Sequence, residues 1–451
     1  MTQDPVFAFA DHVAGSRYET LPVTTIAATK RDLMDTFGCA LGGSGAPGIA
    51  EIVRLLRHWG GREEAGLLLV GGRLPAHQAA MVHGAMGHAL DYDDTLDEGC
   101  SIHPGVSVLA TTLAMADLLG DVTGKDAILA ATLGLDISSR IALAATLDRG
   151  WHRTSAIGVF GATAVAGKLL RLDSAQLAHA FGIAYSQAAG NRQCIVDGAL
   201  TKRLQAGQAA SAAIFSVLLA KDGFTGAAGV FAGRFGFFEL FQPNGFDLAP
   251  LLADLGLAWR GEMVSFKPYP CGRPLHAAID AAMALHRDIA GAAIVDVVVS
   301  ANAFTVADQF AGAAHKRAPS QIVQAQFALP FLIAAALLRG RVGIAELNAR
   351  DAPDILDLSA RIGSEIAGDA PFGAARIMVK LGDGRTVMRD VSAPRGSPAL
   401  PLTDAERIAK FRDCAAHAVR PIADTTVDRA IALLEGLEDA PDVAALARLF
   451  A

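Results

Sequence analysis

Apolar residues spaced three and four apart dominate the first 260 positions, and many of them are alanine or glycine. The stretches IAATKRDLMDTFGCALGG, AHQAAMVHGAMGHALDYDD, VLATTLAMADLLG, KDAILAATLGLDISSRIALAA and DSAQLAHAFGIAYSQAAG all follow this pattern. That period is the signature of helices with a buried face, and several of these stretches stop at glycine. DSAQ and TGKDA read as helix starts, and β-branched alternation is scarce here. Side chains this small favour close helix–helix approach and large subunit contacts.

The pattern breaks near Val264. FKPYPCGRP holds three prolines and must be a loop entry. LHAAIDAAMALHRDIA then reads as a helix and AAIVDVVVSANAF as a strand. QIVQAQFALPFLIAAALLRGRV reads as a helix bent or begun near Pro330. ARIMVKLGDGRTVMRDV alternates on both sides of Asp383-Gly384, a hairpin signal. APRGSPALPL is a linker, and TDAERIAKF returns to the helical pattern. The expected fold class is mainly α with an α+β second domain. Residues 1–263 and 395–451 would form a discontinuous helical domain I, and 264–394 an α+β domain II.

A chain of 451 residues is long enough for two such units. Net charge is −7, no long basic block occurs and aromatic residues are 6%, so no nucleic-acid partner is expected. Cysteines at 39, 100, 194, 271 and 414 are odd in number and form no CxxC pair. That is a reducing-compartment pattern, and a cytoplasmic location is expected. The opening MTQDPVFAFADHV carries no basic n-region and no apolar h-region, so no signal peptide is expected. Despite a mean hydropathy of +0.35, no run reads as strongly apolar enough to span a bilayer, and no membrane partner is expected.

Five segments place ionisable groups beside small-residue helices. In HGAMGHALDYDDT, His88, Asp91 and Thr95 would share a face if the segment stayed helical, with Asp93 and Asp94 pointing elsewhere. The alternative is a solvated helix end. CSIHPG sets His103 ahead of a helix N-terminus, where partial positive charge suits an anion. RGWHRTS offers His152, a cation and hydroxyls; ALTKRLQAG offers Lys202 and Arg203; FKPYPCGRPLH offers Lys267 and Arg273 in a proline-stiffened loop. Cys100 and His103 lie near the DYDD carboxylates, but no zinc spacing such as HExxH occurs, and no metal is expected. Imidazole and ammonium groups converging in an acidic protein suit a small polycarboxylate.

These segments, in this order, resemble the MmgE/PrpD family, which includes 2-methylcitrate dehydratase, cis-aconitate decarboxylase and iminodisuccinate epimerase. The likeness rests on HGAMGHALDYDDT followed by HPG, GWHRTSAIGVFGATAVAGKLL, ALTKRLQAGQAA and FKPYPCGRPLHAAIDA, and more loosely on AQFALPFLIAAALLRGRV and PRGSPALPLT. It spans nearly the whole chain. The resemblance implies an all-helical domain I, a smaller α+β lid domain II, a homodimer and a site in the cleft between the domains. It implies catalytic roles for Asp91, His103, His152, Lys202 and Lys267, and substrate contacts from Thr95, with Arg203, Arg273 and His88 alongside. Two positions depart from the family: Phe331 stands where relatives with lyase activity tend to carry tyrosine, and Gln205 where histidine is frequent. LDEGCSI, between Thr95 and His103, also carries two extra acidic groups.

Such a pocket suits chemistry at a C–H beside a carboxylate, where negative charge must be met by cations or donors. An iron–sulfur cluster needs clustered cysteines, and these are scattered, so no cofactor is expected. The first expectation is a cofactor-independent, dehydratase-like lyase acting on a small di- or tricarboxylate. A decarboxylase or epimerase could use the same carbanion. A catalytically lapsed carboxylate-binding protein is the alternative of another class.

Overall fold

The computed structural model describes residues 3–99, 101–310, 314–368, 370–371 and 373–451. Cys100, weighed above as a neighbour of the histidines, lies outside them. Two separate hydrophobic cores organise the chain. The first runs from Val6 to Trp259 and is completed by Phe411, Val427, Leu434 and Phe450 near the C-terminus. The second runs from Tyr269 to Leu381. The architecture is thus a helical domain, closed by the last helices, and a smaller α+β domain.

Helices in the first domain begin where side chains can satisfy their free N–H groups. Thr123 with Asp126 and Asp173 with Gln176 form reciprocal capping boxes. The helix Gly124–Ala144 is long and apolar enough, by length and composition, to cross a membrane, which the sequence reading did not expect of any segment. Its apolarity has another cause: 94% of the relevant stretch is buried, packed by Val23–Gly43, Pro104–Leu119 and Arg153–Leu169. It also carries a buried ion pair, with Arg140 Nε donating to Asp136 Oδ2 at 2.7 Å.

The second domain has one mixed sheet, in the strand order Ile362–Ile366, Ile294–Ala301, Ala375–Leu381, Thr386–Val391. The first pair is parallel, with Val298 opposite Gly363; the others are antiparallel, with Val298 opposite Met378. Ala375–Leu381 alternates buried and exposed residues, and the helix His276–Ile289 packs against this part of the sheet. The hairpin at Asp383-Gly384 forms as expected, with Gly384 at φ +88°. The strand Ile362–Ile366 and the helix Pro353–Arg361 before it were not anticipated. Ile322–Ala325 is a separate short helical turn, and the helix begins near Pro330 as one of the two expectations had it, running Leu329–Arg339 with Pro330 in its first turn. That is where a missing N–H costs nothing.

Two contacts position the site. Helices Ala76–Gly87 and Thr201–Lys221 cross closely: a Cβ on Gly207 would sit 2.2 Å from the Met81 carbonyl oxygen, and one on Gly84 2.8 Å from the Gly207 Cα. This crossing brings Lys202 over the end of the first helix. A two-residue antiparallel ladder then pairs Thr95 with Ser265 and Leu96 with Val264. It holds the chain leading to Lys267 beside the loop after His88. Gly207→Ala is therefore expected to destabilise the fold by about 1–3 kcal/mol through overpacking, read as a lower denaturation midpoint. An unchanged midpoint would contradict the close-crossing argument.

Candidate active site

The helix expected to carry the DYDD carboxylates ends at Gly87, with His88 as its cap. Asp91 takes φ +51°, a left-handed turn that aspartate tolerates better than most residues. This corrects the shared-face reading. The turn brings Asp93 back against His88 and carries Thr95 into the ladder. Nor is DYDD a solvated end: Asp91, Asp93 and Asp94 are all buried.

The Asp91 carboxylate accepts from Lys267 at Oδ1, and Lys202 lies 3.1 Å from Oδ2. Lys267 also donates to the Asp91 carbonyl at 3.0 Å. Burial alone would raise the Asp91 carboxyl, but Lys202 and Lys267 outweigh it and hold it well below the usual carboxylate range. Behind this array, His88 Nδ1 lies 2.7 Å from Asp93 Oδ2. A carboxylate accepts, so Nδ1 carries the proton and His88 Nε2 carries the lone pair. That lone pair faces the Lys202 ammonium at 2.7 Å and His152 Nε2 at 3.3 Å.

His103 is fixed by the same logic. Its Nδ1 lies 2.5 Å from the Asp94 carbonyl oxygen, which can only accept, so Nε2 is the basic nitrogen. Burial, then Lys267, push the His103 ring well below the ordinary imidazole value. Burial and Lys202 do the same to His88; burial, His88 and Lys202 do so to His152. All three rings are neutral near pH 7. Beneath them Asp94 Oδ2 accepts from Gly105 N–H at 2.9 Å. Burial and the neighbouring Asp32 push the Asp94 carboxyl well up, and Asp32 itself is pushed to about 8, mainly by burial.

These groups meet a cavity of about 430 Å3 between the domains, within the usual range for ligand pockets. Asp91, His103, His152, Lys202 and Arg273 line it. His88 and Lys267 stand behind the wall and reach the cavity through Lys202, His152 and Asp91. Besides His88, two more expected substrate contacts are not brought to it. Thr95 is buried in the ladder, its Oγ1 3.3 Å from Ser101 Oγ. Arg203 faces away and donates to the Pro47 carbonyl at 2.9 Å, because adjacent helix residues diverge. The sequence reading missed Asp93, whose only signal was its position five residues after a histidine. It also missed Arg192 on the wall, while Arg153, the cation of the His-Arg-Thr-Ser turn, does line it.

Asp91, Asp93 and His103 offer ligand atoms within 4.8 Å of one another, a spacing that could chelate a cation. Both Asp91 oxygens already face ammonium groups, and a divalent ion there would meet two like charges. The residues fit a proton-handling site better than a metal site. Of the two departures from the family, Gln205 touches the site through His152 and Phe331 does not line the cavity. Phe331 is fully buried in the second core. Gln205 secures the loop before Cys194, accepting from Asn191 N–H at 2.9 Å and donating to the Asn191 carbonyl at 3.3 Å.

A helical domain and an α+β domain thus enclose a cleft lined by lysine, histidine and aspartate side chains. Models of the MmgE/PrpD N-terminal domain and the MmgE/PrpD C-terminal domain match residues 8–249 and 269–435. The chain belongs to the MmgE/PrpD family. It is similar to the cis-aconitate decarboxylase-like protein oryM of Aspergillus oryzae, 26% identical over 94% of this chain and 93% of that one. It is also similar to cis-aconitate decarboxylase of Mus musculus, 26% identical over 98% and 92% of the two chains. The cis-aconitate decarboxylase of Homo sapiens is 25% identical over 98% and 93%.

The ring assignments are open to direct measurement. Nitrogen-15 NMR at pH 7 is expected to show His103 neutral with its proton on Nδ1, and still neutral at pH 6. A charged ring at pH 6, or a proton on Nε2 at pH 7, would refute the assignment.

Proposed function

We propose that this chain is a cofactor-independent lyase acting on a small di- or tricarboxylate through a carbanion held as an aci-carboxylate. One observation carries the reading: a neutral His103 with a free basic nitrogen shares a cavity with the Lys202–Asp91–Lys267 array. In the dehydratase arm, His103 Nε2 takes a proton from the carbon beside a carboxylate. The C–H electrons move into that carboxylate, where Lys202 meets the growing charge. The pair then returns to form a C=C bond, and the β C–O bond breaks. Hydroxide leaves with that bond's electrons and takes the proton from the His103 imidazolium, giving water.

The second arm is loss of CO2, which the relatives' activity favours. There the C–C bonding pair stays on carbon as CO2 departs, and the carbanion takes a proton from water, whose hydroxide leaves to solvent. Epimerisation would return the proton to the opposite face. The alternative of another class is a catalytically lapsed carboxylate-binding protein; turnover of any bound polycarboxylate would exclude it.

Lys202 serves both arms as a fixed positive charge. Asp91 keeps the two lysines charged and close, and the Asp93–His88 pair orients the Lys202 ammonium. His103→Ala and Lys202→Ala are each expected to cut kcat on the order of 10²–10⁴-fold while circular dichroism stays unchanged. Full turnover in both folded variants would reject these roles. In D2O, the wild-type protein should release olefinic product with loss of water or CO2; exchange with neither would move the assignment to an epimerase.

The pH profile gives an independent check. A base whose folded value lies below the ordinary 6.5 stays unprotonated as pH falls through 6.5 and is lost only at lower pH. The acid limb of kcat/KM is therefore expected below 6.5. An acid limb at or above 6.5 would exclude His103 as the base.

A further inference from the structure

We propose that the cavity takes a dicarboxylate carrying an uncharged apolar substituent, and that Asp97 sets this preference by masking Arg273. The inference rests on the lyase reading above and narrows its substrate. Asp97 belongs to LDEG, the acidic segment that separates Thr95 from His103. It stands on the cavity wall facing the second domain.

Arg273 was expected to hold a substrate carboxylate, but three of its five N–H donors are taken. Nε and Nη2 donate to the two Asp97 oxygens at 2.8 and 2.7 Å, and Nη1 donates to the Arg395 carbonyl at 2.8 Å. Ser265 Oγ also donates to Asp97 Oδ2 at 2.7 Å. A planar guanidinium paired in this two-pronged way matches a carboxylate as well as a ligand could. Asp97 therefore occupies the place a further substrate carboxylate would take.

The opposite wall is neutralised in a similar way. Arg192 pairs with Asp148 and lies 3.5 Å from Asp308. Lys202, shared with Asp91, remains at the chemical end of the cavity. The Arg153 guanidinium lies on the same wall and acts at longer range on Asp148, which Arg192 already pairs. That leaves anchoring charge for two carboxylates, one at Lys202 and one at Arg153. A third would enter beside Asp97 or Asp148 and be repelled.

Beside the polar Ser101, Thr154 and Gln309, the wall carries the apolar side chains of Trp151, Ile195, Pro274, Phe304 and Phe327. A cavity of about 430 Å3 holds more than a short unsubstituted diacid fills, and these side chains gain by excluding water from it. An alkyl arm on the dicarboxylate satisfies both conditions.

The test uses the full-length protein and isothermal titration calorimetry with succinate, 2-methyl-, 2-butyl- and 2-hexylsuccinate and propane-1,2,3-tricarboxylate. Affinity is expected to rise about fourfold per methylene until the cavity is filled, with the tricarboxylate at least tenfold weaker than 2-butylsuccinate. Asp97→Asn, which frees Arg273, is expected to tighten the tricarboxylate at least tenfold and leave the alkyl slope unchanged. If Asp97→Asn fails to fold, Ile195→Trp serves instead: it should weaken the hexyl ligand at least tenfold and spare the methyl one. The proposal is overturned if the tricarboxylate binds wild type most tightly, if the alkyl series is flat, or if either folded variant shifts all ligands alike. Ligands binding in the expected order, with neither C–H exchange in D2O nor turnover of their unsaturated or hydroxylated counterparts, would sink the lyase reading and leave the binding preference standing.

Discussion

One carboxylate, Asp91, holds two ammonium groups that come from different domains. Lys202 sits in the first turn of Thr201–Lys221, and Lys267 on the proline-rich entry to the second domain. All three are buried. Charges taken this far from water are tolerated only in company, and removing one member of such a set costs about 3–5 kcal/mol. The arrangement ties the seam between domains to the chemistry: the contact that fixes the second domain is the one that concentrates positive charge on the cavity.

The histidines depend on that array. Burial and the neighbouring ammonium groups outweigh the pull of Asp91 and Asp93, so the rings stay neutral, and their tautomers are set by what each Nδ1 meets, Asp93 for His88 and a backbone carbonyl for His103. A neutral imidazole beside fixed cations is a base that does not lose the cations' help when it acts. Loops around the cleft are anchored rather than loose. Gln205 secures Asn191, Arg192 reaches Asp148, and Asp97 reaches across to Arg273.

Local signals in the sequence translated well. The Thr123 and Asp173 boxes mark real helix starts, His103 and His152 do precede helices, and Asp383-Gly384 does turn a hairpin. Such features depend on residues a few positions apart. What stayed hidden depends on one unusual backbone angle or on distant partners. The left-handed Asp91 broke a helix that spacing alone would continue. Ile362–Ile366 pairs in parallel with a strand more than sixty residues earlier, and its short, half-polar sequence gives no period to read. Arg203 and Lys202 look equivalent in sequence, yet one faces Pro47 and the other the cavity. Asp97 read as a surplus charge until Arg273 was seen beside it.

The most direct measurement of the central claim is the affinity of the nitronate form of 3-nitropropionate, whose charge distribution copies an aci-carboxylate. A site complementary to that charge should bind it on the order of 100-fold or more tighter than succinate. Most of that gain should vanish in Lys202→Met. A nitronate bound no more tightly than succinate, or equally well without the Lys202 ammonium, would contradict the idea that this cleft is built to stabilise a carbanion.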